Sequence, residues 1–142
     1  MISAVAALFL FAQPAPLNLD QIRADPNLEH RAHSAIEYSS TAERNAETAY
    51  SKGDLAAVKM ELQNMADAVE LARQSLDQTG KSPMRHPGPY KFGELRTQET
   101  LVRLGDLERK MDADERPMIE GPKTKVQEIH DAWFDGIMSK KR

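Results

Sequence analysis

Apolar positions along this chain fall into two long helical patterns separated by a short turn, Lys52-Gly53-Asp54. After the turn, Leu55, Val58, Leu62, Met65, Val69, Ala72 and Leu76 recur at alternating gaps of three and four residues. That spacing gathers them on one stripe of an α-helix, which must be buried against a neighbour. Before the turn, Leu28, Ala32, Ala35, Ser39, Ala42, Ala46 and Ala49 keep the same rhythm. Most of these side chains are small, so a second helix can approach closely. The pair predicts a helical hairpin in which Gly53 closes the first helix and Asp54 caps the second.

The flanking residues set the other boundaries. Residues 13–25 read as an extended lead with at most one helical turn around Leu19 and Ile22. Asp25-Pro26 offers a cap followed by a proline at the first helical position, where its missing N–H costs nothing. The second helix ends near Thr79-Gly80, and the proline-rich stretch 81–89 is a loop. A third helix is expected over about 90–111. Leu101, Leu104, Leu107 and Met111 lie on one side, while Leu95 and Val102 point elsewhere and Gly105 interrupts. Asp112 and Glu115 have capping-box spacing before a last helix, which Gly121-Pro122 should kink or restart. Val126, Ile129, Trp133 and Ile137 then form another apolar stripe.

These elements predict an all-α fold: an antiparallel bundle of about four helices over 26–142, built on the long hairpin. The segment Ala46–Leu71, with Ala-Glu-Thr-Ala-Tyr-Ser-Lys-Gly-Asp-Leu at its turn, resembles the helical hairpin of a tetratricopeptide repeat. Each helix here is longer than a unit of roughly 34 residues allows, and no second copy follows. The resemblance therefore implies shared hairpin physics and no site. The chain as a whole is also similar to small exported bacterial helical proteins without assigned activity, and that likeness transfers no site residue either.

Composition adds an address. Residues 2–12 (ISAVAALFLFA) form an uncharged apolar run, within the ~7–15 residues of a signal-peptide core and short of the ~20 that span a bilayer. Gln13-Pro14-Ala15-Pro16 breaks any helix, so cleavage is expected after Ala12 or Ala15. No Lys or Arg precedes the run, and a buried N-terminal helix is the alternative. The 142 residues contain no cysteine, which excludes a lipid-anchored lipoprotein and leaves stability to the helices alone. A mean hydropathy of −0.60 argues against an integral membrane protein. The net charge of −3 argues against a nucleic-acid partner. Lys140-Lys141-Arg142 suits a solvated helix end. The expected location is periplasmic or secreted, with no stable membrane anchor after cleavage.

Candidate chemistry is sparse. His30, His33 and Glu37 share a face, but that face points roughly 140–200° from the apolar stripe, so solvent is its expected surrounding. The two histidines are three residues apart and lack the His-Glu-x-x-His order of zinc proteases. His130 falls at the edge of the last stripe, and the bundle di-iron pattern would need Glu where Gln127 stands, so a hydrogen-bonded core role is expected. Lys81, Arg85, His86 and Lys91, near Tyr90, form a possible anion-binding loop, while Met84 with His86 is too little for copper. Asp112/Asp114 and Asp131/Asp135 read as caps and solvated faces. There is no Gly-x-Ser-x-Gly elbow and no phosphate-binding glycine loop. No catalytic residue, metal ligand or cofactor is assigned.

The expected function is accordingly non-enzymatic: an exported protein acting through protein–protein contact, as adaptor, scaffold or accessory subunit. Its partner is an unknown protein or a second copy. The alternative is an envelope carrier of a small ligand or metal, using the bundle interior or the Lys81–Lys91 loop. Met60 and Leu71 lie roughly 140–160° from the centre of the second helix's stripe and form a possible partner face, unless the third helix, itself apolar on two sides, covers one end of their ridge or water does.

Overall fold

The structure is a computed structural model that describes residues 18–139. The expected signal segment, its cleavage points and the basic tail at 140–142 lie outside the described residues. Five helices follow one another: α1 (Leu19–Arg23), α2 (Leu28–Ser51), α3 (Leu55–Gln78), α4 (Pro87–Lys110) and α5 (Pro117–Met138). No strand occurs among the described residues. The fold is an all-α bundle.

The hairpin forms where the pattern placed it. Gly53 takes φ +74°, a left-handed conformation that favours glycine. The Asp54 side chain accepts the Ala57 N–H at 3.1 Å. In α3, Val58, Leu62, Met65, Val69, Ala72 and Leu76 are buried, while Leu55, on the first turn, is exposed. In α2, the stripe from Ala32 to Ala49 is buried throughout.

Each long helix packs on two other long helices. α2 packs on α3 and α4, and α5 packs on the same two, so α2 and α5 stand at opposite corners of a square. Arg31 of α2 reaches Ser75 and Gln78, which brings the start of α2 to the end of α3. His33 stacks on Phe92 at 4.1 Å between centroids, and the Tyr50 hydroxyl donates to the Lys110 carbonyl at 2.8 Å. Those two contacts run α4 parallel to α2. Lys123–Glu108 and His130–Glu94 run α5 antiparallel to α4. Chain direction alternates from helix to helix, yet residues 79–86 cross between opposite corners, so two of the four sides are parallel pairs.

Several boundaries differ from expectation for local reasons. Helix α2 starts after Asn27, whose side chain accepts the His30 N–H at 3.0 Å, and Asp25 instead accepts the Asn27 N–H. Helix α4 starts at Pro87, inside the expected loop, because Pro87 and Pro89 fall in its first turn and lose no internal hydrogen bond there. Gly105 does not interrupt it. Helix α5 runs unbroken through Gly121-Pro122. The proline there removes a single bond near the N-terminus, where the stripe from Ile119 to Trp133 is buried and holds the helix. Half of the capping box forms: Glu115 accepts the Asp112 N–H at 2.9 Å. The lead carries a true short helix, α1, with a reciprocal Asn18–Gln21 capping box and a buried Ile22, so it belongs to the bundle.

Candidate functional site

The α2–α4 seam holds the least expected group. Glu43 is fully buried, and neither carboxyl oxygen has a hydrogen-bond partner among the described residues. Burial pushes its pKa up to about 8, assisted by the Glu47 charge and opposed by Arg103 and Arg44. At neutral pH this carboxyl is therefore mostly protonated. Beside it, Arg103 pairs with Glu47 at 3.2 Å. Ser40, Arg44, Glu99, Thr100 and Arg103 close a cavity of about 10 Å³ around Glu43, room for about one water. Sequence reasoning gave α2 one stripe and missed this one, although Ile36, Glu43 and Tyr50 recur every seven residues.

The α4–α5 seam carries a second constellation. His130 is mostly buried, with Nε2 3.2 Å from Glu94 and Nδ1 3.1 Å from Asp131. The Asp131 carboxyl is held below its ordinary range by that contact and by Gln127. His130 is thus a hydrogen-bonded side chain at the rim of the core. One turn on, the exposed Phe134 ring lies 6.4 Å from the imidazole, and Met138 is exposed a further turn along. Trp133 is buried, and its indole N–H has no acceptor among the described residues.

No family model, curated protein or solved structure matches this chain. The residues must therefore be read on their own geometry.

The loop disperses its cations. Lys81 pairs with Glu29 at 2.7 Å, while Arg85, His86 and Lys91 are exposed. Tyr90 is buried and donates to the Lys81 carbonyl at 2.9 Å, so the aromatic is not on offer beside them. His30 pairs with Asp25, and His33 lies 3.1 Å from Glu37. The face expected in solvent is partly covered, since Phe92 stacks on His33 and Arg96 sits 5.3 Å from the Phe92 centroid. Among the described residues, no three His, Asp or Glu side chains converge as a metal site.

The expected partner face divides. Met60 is 55% exposed, but Leu71 is 8% exposed and belongs to the core. Leu71 joins the core cluster, to which α1, packed on both α2 and α3, also adds Leu19 and Ile22. Other exposed large apolar side chains are Leu55 on α3, Leu95 (58%) and Val102 (62%) on α4, and Phe134 and Met138 on α5. The failure of Leu95 and Val102 to fit the third helix's stripe was the signal for this surface.

Proposed function

We propose that this is a non-enzymatic, exported helical protein that works by contact with another protein, as adaptor, scaffold or accessory subunit. The observation that carries the reading is the α4 ridge: Leu95 and Val102, two turns apart, both more than half exposed. Single exposed apolar residues are ordinary, whereas a spaced pair with Phe134 and Met138 on the adjoining helix supports an interface. The bundle beneath is rigid enough to present it, since α4 and α5 interlock through Trp133 and the His130–Glu94 pair. Export rests on the apolar run at 2–12.

The test is the double variant Leu95→Glu/Val102→Glu, made in the full chain and recovered by affinity purification from the native host. It should keep its circular dichroism and lose the polypeptide, or the second copy, that the parent retains. Met60→Glu should keep it. A folded double variant that retains every associated chain would overturn the reading.

A further inference from the structure

Outside the four-helix square, α1 closes one end of a groove that runs along the α2–α3 seam. Its volume is about 400 Å³, within the range of about 300–1,000 Å³ typical of small-molecule sites. Ile22 and Ala42 are buried beneath it, and Tyr38 forms a half-buried aromatic wall. Glu37 and Glu61 line it as well, and among the described residues no Lys, Arg or His does. Glu37 is partly engaged by His33, whereas Glu61 has no hydrogen bond or ion pair among the described residues. The groove is a built feature: the Asn18–Gln21 capping box shapes α1, and Arg31 donates to the Arg23 and Asp25 carbonyls behind it.

We propose that this groove binds a small amphiphilic cation, a primary alkylammonium whose chain lies on Ile22, Tyr38 and Ala42 and whose ammonium meets Glu61. The charge complementarity is one-sided, Glu61 unpaired and Glu37 shared with His33 among the described residues, so a carboxylate ligand of the same length is repelled. An ammonium over the Tyr38 ring gains a further attraction from the ring's negative face. The Tyr38 phenol reports the same field: burial, then the charges of Glu61 and Asp67, raise its pKa. This site is distinct from the α4 ridge and does not depend on it.

Full-length protein titrated at low salt with hexylammonium chloride, 1-hexanol and sodium hexanoate decides the matter. Hexylammonium should shift the Tyr38 ring and Ile22 methyl resonances saturably, with a smaller response to hexanol and none to hexanoate. Glu61→Gln should weaken hexylammonium by about 2–5-fold, the scale of an exposed ion pair. Thr41→Trp, at an exposed position on the groove wall, should abolish the shifts while circular dichroism stays unchanged. Equal binding of hexanoate would overturn the proposal, as would unchanged hexylammonium shifts in Glu61→Gln. Should Thr41→Trp fail to fold, Asn45→Trp on the same wall makes the same test.

Discussion

The ring of Trp133 lies directly on the backbone of Gly93: a Cβ at position 93 would sit 2.6 Å from Cζ3 and 2.8 Å from Cε3. The α4–α5 crossing is close because residue 93 has no side chain. Gly93→Ala gains roughly 0.5–1 kcal/mol of helix propensity but forces a rigid indole to move, costing about 1–3 kcal/mol. It should therefore destabilise the bundle. At Gly105 the nearest atom to a new Cβ is the flexible end of Arg109, 3.8 Å away. Gly105→Ala should stabilise by about 0.5–1 kcal/mol. Denaturant midpoints that move the same way for both variants would show that the indole contact does not hold this crossing.

Glu43 makes stability depend on pH. Its folded pKa of about 8 lies above the ordinary value of 4.5, so between those values the folded chain binds more protons than the unfolded one. Stability contributed by the neutral carboxyl is complete below pH 4.5 and is lost as pH rises towards 8. Glu43→Gln keeps the shape and cannot ionise. Its stability relative to the parent should grow by on the order of 3 kcal/mol between pH 5 and pH 8. Comparing the two chains isolates this group from Asp25, Glu70 and Asp131, whose depressed pKa values act at acid pH. A constant difference across that window would remove Glu43 as the cause.

Arg31 ties three helices together. Its Nε donates to Ser75 at 2.8 Å, one terminal nitrogen to Gln78 at 2.8 Å, and the other to the Arg23 and Asp25 carbonyls. Lysine is a single point donor and cannot replace this fork. Arg31→Lys should cost about 1–2 kcal/mol. Hydrogen exchange should localise the loss, with protection falling at Ile22 and Ala24 before it falls in α3. Uniform loss along the chain would mean that α1 is held by something else.

The hairpin was legible in the sequence because its two stripes obey one period and its turn contains a glycine that must take positive φ. The α3 stripe from Val58 to Leu76 is buried as read, and so is the alanine stripe of α2. What stayed hidden follows from helices with two neighbours. Ile36 and Glu43 look like off-stripe residues until α4 arrives beside α2. Pro122 looks like a break until tertiary packing of Ile119 and Val126 outweighs one missing bond. The site was less legible than the fold. Single-helix angles could mark Leu95, Val102 and Met60 as off-stripe, but could not say which off-stripe residues a fifth, short helix would cover.

Leu71 and Met60 settle that last point by experiment. Both lie far from the centre of the α3 stripe. Leu71 is 8% exposed and Met60 is 55% exposed, and α1 packs on both α2 and α3. Leu71→Glu places a carboxylate among apolar side chains without a partner and should cost several kcal/mol, a large share of a small domain's stability. Met60→Glu should change stability by no more than about 0.5 kcal/mol. Leu71→Ala adds a second measure: loss of a buried leucine costs about 2–5 kcal/mol where the neighbours cannot collapse, and less where a short helix can follow inward. Values below that range, with raised hydrogen exchange confined to α1, identify α1 as a cover that yields. Equal tolerance of Glu at 60 and 71 in denaturant melts would mean that Leu71 is not buried in solution.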